Sequence, residues 1–254
     1  MTTSNMLFSE GIEHYVMVHS EADKQKFKAG GTIKIQDSHI IVTGNAKGLT
    51  RQRNSALDML QEGEWAIFMN DDLKQITMLR DYETFPHERV KLTPKNIKQF
   101  DELLKTKINC RKLLQLMETS IMESAEKEGA KLVGFVAHNN TRFRSAKVVR
   151  RGLVDGRLWM IKKDNGMHFD EKVNVLEDHE FTAYILCKYG KVHVENWICP
   201  EFSRMTKGGF GTIGERTEQL RHDAAYLIKK YPFLFEYKEK SGYPEHTQLK
   251  FKTI

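Results

Sequence analysis

Two acidic constellations stand out in this chain as residues able to do chemistry. The apolar run WAIFM at 65–69 ends directly in Asn70, Asp71 and Asp72. Two carboxylates side by side at the end of a buried strand repel each other and lose hydration, so they call for a cation or a proton. A hard divalent ion, Mg²⁺ or Mn²⁺, is the usual compensation, held by one or two carboxylates and by substrate phosphates. An ordinary turn or helix cap is the alternative. The second constellation is Glu177, Asp178 and Glu180, preceded by His168, Phe169, Asp170 and Glu171. Acids in a first helical turn satisfy the helix dipole; the competing role is that of a general base taking a proton from an incoming hydroxyl.

Basic residues gather in two places. Arg142, Arg144, Lys147, Arg150 and Arg151 form one cluster, with Lys162 and Lys163 beyond it. Such density suits a polyanionic partner, because phosphate neutralisation by Lys and Arg supplies most non-specific affinity for nucleic acid. Phe143 lies between two of these arginines, so the segment combines backbone-gripping charge with an aromatic face on which a base can stack; a partly buried loop aromatic is the plainer reading. The second place is glycine-rich: Arg204, Lys207, Gly208, Gly209 and Gly211. Glycines let backbone amides approach phosphate, and Arg204 and Lys207 would neutralise a departing diphosphate; a plain connector is the alternative.

These residues need a scaffold. HYVMVH at 14–19 reads as a buried strand, and Ser20 before Glu21, Ala22 and Asp23 reads as an N-cap opening a helix. A second strand at 39–43 and a helix at 50–61 lead to the strand at 65–69, whose uniformly apolar residues predict cover by helices on both faces. Alternating strand and helix predicts a mostly parallel sheet with ligands beyond the carboxyl ends of its strands. Helical patterns follow from Thr93 and Pro94 to about Lys127, the second carrying a core stripe of Leu113, Leu116, Met117 and Ile121. Strands at 132–137, 148–149, 158–161 and 191–196, a helix at 177–189 ending at Gly190, and a last helix at about 213–230 complete the pattern. The tail at 231–254 shows no clear period. No repeat or linker divides the chain, so the expectation is one α/β domain, with a donor-binding half at about 1–92 and an acceptor-binding half at about 93–230.

Composition narrows the class. The 254 residues carry a formal net charge of +6, spread along the length rather than gathered in a tail. No run approaches the roughly eighteen apolar residues of a membrane span, and the first residues lack the regions of a signal peptide, so a cytoplasmic protein is expected, in the host cytoplasm if phage-encoded. Cys110, Cys187 and Cys199 lack metal-ligand spacing and read as reduced packing residues.

Residues 48–73, GLTRQRNSALDMLQEGEWAIFMNDDL, resemble the stretch of GT-A fold glycosyltransferases that leads through a basic, Arg-Asn containing helix and an apolar strand to an acidic metal motif. Residues 168–192, HFDEKVNVLEDHEFTAYILCKYGKV, are similar to the acceptor segment of the same family. The resemblance implies a Rossmann-like, mostly parallel mixed sheet flanked by helices, with Asp72 on a Mn²⁺ or Mg²⁺ ion that holds the nucleotide diphosphate. It implies a UDP-sugar donor against His19, Ser20, Arg53, Asn70 and Asp71, closed over by Arg204 and Lys207, and Asp178 as the base with Glu177 beside it. Two departures stand: Asn70 occupies a place where the family often has an acid, and no His follows the last strand as a third metal ligand. Small, basic members of this kind look like the phage enzymes related to the base J glucosyltransferase, which glycosylate hydroxymethylated pyrimidines in DNA. On that resemblance, Arg142, Phe143, Arg144, Lys147, Arg150 and Arg151 would grip a DNA acceptor. A transferase with a non-DNA acceptor, a nucleotidyltransferase and a non-enzymatic basic DNA-binding protein remain as alternatives.

Overall fold

A computed structural model describes residues 3–30, 36–44, 48–80, 104–141, 144–203, 213–238 and 248–252. Helix α1 (Thr3–Ser9) precedes a strand-helix-strand unit made of β1 (Val16–Val18), α2 (Glu21–Gly30) and β2 (Ile40–Val42). The strands pair in parallel, Val16 against Ile40 through Val18 against Val42. Ser20 opens α2 as its residue type requires: its hydroxyl accepts from the Asp23 amide at 3.1 Å and donates to the Asp23 carboxylate at 2.9 Å. Helix α3 (Leu49–Asp58) then leads to β3 (Trp65–Met69).

From β3 onward the architecture departs from the mostly parallel expectation. A four-stranded sheet has the order β3-β7-β6-β8, with β7 (Leu158–Lys162), β6 (Leu132–Phe135) and β8 (His193–Glu195). Only the β6–β8 pairing is parallel; β7 runs antiparallel to both of its neighbours. Strand β3 is an edge strand, not a doubly covered one, and its Ile67 is exposed. Its apolar residues are paid out along that edge: the Trp65 indole donates to Glu126 at 2.9 Å and the Lys162 ammonium sits 5.8 Å from the Trp65 ring. A second, wholly antiparallel sheet has the order β5-β4-β9, from β5 (Lys105–Ile108), β4 (Leu73–Leu79) and β9 (Ile198–Phe202). The fold is therefore mixed α/β with several sheets, and antiparallel pairing predominates among the described residues.

Alternation along β7 divides the core. Leu158 and Met160 face a cluster with Leu73, Ile76 and Leu79 of β4 and Leu113, Met117 and Ile121. The last three sit on α4 (Cys110–Leu116) and the π-turn Met117–Ile121 that joins it to α5 (Met122–Glu128). Trp159 and Ile161 face the opposite cluster, with Leu57, Phe169, Phe181, Leu227 and Phe235. Each fully buried side chain of this size contributes about 1.5–3 kcal/mol. Helix α6 (Glu177–Tyr189) supplies Phe181 and stops at Gly190, whose φ of 77° suits a left-handed cap. Helix α7 (Ile213–Lys230) supplies Leu227. The tail, which shows no clear period in sequence, joins this core through the antiparallel pair β10 (Phe235–Lys238) and β11 (Gln248–Phe251). Cys187 is exposed, which corrects its reading as a packing residue; Cys110 and Cys199 are buried. No described helix is long and apolar enough to cross a membrane.

Candidate active site

The turn carrying Asp71 and Asp72 is fixed through its backbone. The Thr3 amide donates to Asp71 O at 3.2 Å, and the Thr3 hydroxyl donates to Asn70 O at 2.7 Å while accepting from the Leu73 amide at 2.8 Å. The Asn70 amide donates to Arg157 O at 2.9 Å, and the Ser203 amide to Asp72 O at 3.0 Å. Three separate segments thus hold the turn, while Asp71 is exposed and Asp72 half-buried. Burial and the neighbouring Asp71 push the Asp72 carboxyl above its ordinary value, with a hydrogen bond from its own amide and the charges of Arg157 and Lys74 pulling it back.

At the start of α6 the carboxylates themselves are held. Glu177 is buried and accepts from Arg53 at 2.9 Å. The same guanidinium donates to Gly156 O at 2.7 Å and lies 4.6 Å from the Trp159 ring and 5.7 Å from the Phe169 ring. Burial raises Glu177 to about 7, against the attraction of Arg53. Asp178 accepts from the Gly156 amide at 3.3 Å with one oxygen, and with the other from the His179 amide at 2.8 Å. His179 Nδ1 lies 2.7 Å from that same oxygen. Burial alone would raise Asp178, but the charge and hydrogen bond of His179 outweigh it and hold the carboxyl below its ordinary value. The imidazole responds in kind: burial pushes it down, and Asp178 more than restores it, so it stands above its ordinary value. Glu180 is buried against Lys230 at 2.8 Å and the Tyr231 hydroxyl at 2.9 Å.

The segment from Asp155 to Arg157 joins the two acidic regions. Gly156 bonds Arg53 through its carbonyl and Asp178 through its amide. A Cβ built there would come within 2.8 Å of Asp178 Cβ, so glycine is what permits the approach. Arg157 forks onto Asp155, with Nε at 2.8 Å from Oδ1 and Nη2 at 2.5 Å from Oδ2, and its guanidinium lies 5.1 Å from the Phe202 ring. The Asp155 hydrogen bonds raise its pKa against burial, and the charges of Asp72 and Asp178 add to the effect. One cation therefore feels both acidic regions. Sequence reading missed Arg157; its only local signal is a basic residue between a turn and an apolar strand.

Several expected site residues have other employment. Arg53 is spent on Glu177 and Gly156 inside the protein, which corrects its assignment to the donor. Glu177 is the buried partner of that Arg53 guanidinium. Arg144 is buried and donates to Thr77 O at 2.9 Å, Thr77 Oγ1 at 3.1 Å and Trp197 O at 2.5 Å, so it does not belong to a DNA-gripping surface. Lys147 and Arg151 are exposed, and Arg150 is exposed but paired with Glu128 at 2.5 Å. Ser20 caps α2, and His19 is half-buried beside it at the carboxyl end of β1. Arg142, Phe143, Arg204 and Lys207 lie outside the described residues.

Asp72 and Asp71 fit a hard divalent ion. They are neighbouring carboxylates at the end of β3, Asp71 exposed and Asp72 half-buried, and the charge of Asp71 together with burial raises Asp72. No group of three or more His, Cys, Asp or Glu side chains able to hold a metal occurs among the described residues. The fit is thus to an ion completed by substrate phosphate and water, as is common for Mg²⁺. The chain matches no protein-family model, no curated protein and no solved structure.

Proposed function

We propose that this chain is a metal-dependent glycosyltransferase that moves a sugar from a UDP-sugar to a hydroxymethylated pyrimidine in DNA. The observation that carries the reading is that one short segment, Asp155 to Arg157, touches both acidic regions, about a hundred residues apart in sequence: Arg157 O accepts from the Asn70 amide beside Asp71 and Asp72, and the Gly156 amide donates to Asp178. A transferase needs these charges: a cationic region for the departing diphosphate and a carboxylate for the acceptor's proton. The parallel β1-α2-β2 unit is of the kind that binds ligands beyond the carboxyl ends of its strands. Exposed Lys147 and Arg151 favour the DNA acceptor, with the smaller cluster that remains once Arg144 is removed from it.

In this mechanism Asp178, held ionised by His179, accepts the proton of the acceptor hydroxyl. The hydroxyl oxygen forms its bond to the sugar's anomeric carbon as the bond from that carbon to the β-phosphate oxygen breaks, and UDP leaves with inversion. Arg157 offsets the charge gathering on the diphosphate. A divalent ion bound at Asp72 and Asp71 would supply further Lewis-acid stabilisation of that leaving group.

The test is UDP release from a panel of UDP-sugars with Mn²⁺, and mass gain on oligonucleotides carrying hydroxymethylcytosine or hydroxymethyluracil. Asp72→Asn should abolish turnover, and Asp178→Asn should lower it by roughly 10² to 10⁴ with donor binding kept. Release of pyrophosphate from nucleoside triphosphates instead would make the chain a nucleotidyltransferase. DNA binding with no turnover of any nucleotide would leave only a binding protein.

A further inference from the structure

Helix α6 has no capping side chain of its own. Leu176 stands at the N-cap with φ −107° and ψ 36°, where a helix leaves its first amides without intrahelical partners. What α7 holds instead is the N-cap amide and the two amides before it. Asp223 is fully buried, and one of its carboxylate oxygens accepts from the amides of Asn174 at 2.9 Å, Val175 at 2.7 Å and Leu176 at 3.2 Å. The other accepts from Gln219 Nε2 at 2.7 Å and lies 3.5 Å from the ring of the exposed His222. A carboxylate without a buried cation is tolerable there because several donors converge on it, and charge-assisted bonds are the strong ones. Further along the same helix, Lys230 bonds Glu180 at 2.8 Å and Asp170 at 2.7 Å. Helix α7 therefore grips α6 on both sides of Glu177, Asp178 and His179.

We propose that Asp223 is a positioning residue, whose hold on the amides of residues 174–176 sets the contacts of Asp178 with Gly156 and His179. Its chemical meaning rests on the transferase reading; its geometric meaning does not. A cap serving stability alone would leave Asp178 where it is when weakened. A positioning cap would not, because Asp178 lies two residues beyond the last amide that Asp223 holds, and its bond to Gly156 is already long at 3.3 Å.

Asp223→Asn keeps the side chain's size and removes the charge. The first readout is the His179 imidazole, titrated by NMR in the whole protein. The charges that bear on it are Asp178, Glu177 and Asp155, and Phe235 is its aromatic neighbour. In Asp223→Asn its midpoint should fall by roughly half a pH unit or more, since a loosened Asp178 supports the imidazolium less. Amide exchange at residues 177–180 should rise about tenfold while β6 and β7 keep their protection. An unchanged midpoint with unchanged exchange in the folded variant would overturn the proposal. Should that variant not fold, Gln219→Ala removes the outer bond to Asp223, together with a 3.5 Å contact to the exposed His222, and must shift both readouts in the same direction; no shift would equally overturn it. The second readout is UDP release, where kcat should fall about tenfold and KM for the donor should change less than twofold. A native protein that releases no UDP sinks the transferase reading alone, because the His179 midpoint still decides the role of Asp223.

Discussion

The turn at Asp71 and Asp72 and the start of α6 look alike in sequence, each a knot of acids beside apolar residues, yet they are held in opposite ways. In the turn the backbone is tied by Thr3, Arg157 and Ser203, and the Asp72 carboxylate accepts no hydrogen bond from a described side chain. At the start of α6 the carboxylates are themselves tied: Glu177 by Arg53, Glu180 by Lys230 and Tyr231. Asp178 stands between these extremes, fixed by Gly156 and His179 but with a fifth of its side chain, 21%, still open to solvent. An acid is available for chemistry where the scaffold spends its hydrogen bonds on the backbone, and unavailable where it spends them on the carboxylate.

The largest effect should come from breaking the tied side. Arg53→Met leaves Glu177 buried beside Asp178 with its cation gone, and removing one partner of a buried pair costs about 3–5 kcal/mol. Adding Glu177→Leu should return most of that loss, because the pair fails together and is replaced together. Urea unfolding of the single and double variants measures both. A single-variant loss below about 1 kcal/mol would mean that Glu177 is not held by Arg53 and that the two regions differ less than described.

A smaller effect separates Asp178 from its neighbours by pH. The Asp178 carboxyl is lowered in the fold, so its contribution to stability is present above its unfolded value and lost as pH falls through the folded one. His179 is raised, so its contribution is complete below 6.5 and lost as pH rises through its higher folded value. Glu177 works the other way, since burial raises it to about 7 and stability falls as it ionises. Subtracting the unfolding curve of His179→Gln from that of the native protein isolates the imidazole. The difference should be flat between the carboxylate range and about pH 6.5, fall off in acid as Asp178 protonates, and decline above 6.5; a difference that grows with pH above 6.5 would show that His179 is buried neutral and lends Asp178 nothing.

Local signals made the helix starts and stops legible. Ser20, Gly190 and the limits of α6 and α7 follow from caps and periodicity, which act within a few residues. The second sheet was not legible. Strand β4 has a register shift between Leu73 and Gln75, β9 contains Pro200, and both owe their pairing to residues far away in sequence. The same distance hid the fate of the cations. Arg53 is assigned to the donor because its partner lies 124 residues onward and out of local view, and Arg144 reads as part of a basic cluster because nothing near it announces the carbonyls of Thr77 and Trp197. The end of the apolar run at 65–69 was legible, but its edge position was not, and with Asp71 exposed and Asp72 half-buried the cost of their charge is smaller than a buried strand end would impose.

The smallest effect tests Asp72. Asp72 is raised in the fold by burial and by Asp71, so the folded state holds its proton more firmly than the unfolded chain does. Stability must then fall as pH rises through that interval, and at neutral pH the ionised carboxylate is a mild liability. Asp72→Asn removes the charge and keeps the shape, so it should stabilise the protein at pH 7; with much of the residue open to water the gain is only a few tenths of a kcal/mol. Below the ordinary carboxylate range the native carboxyl is itself protonated, and the gain should vanish. Chemical unfolding at both pH values, with Asp71→Asn as a weaker companion, makes the measurement. A variant that loses about 1 kcal/mol at pH 7 would mean that Asp72 is a stabilising acceptor like those of α6. The contrast between the two regions would then fail at the residue on which the metal assignment depends.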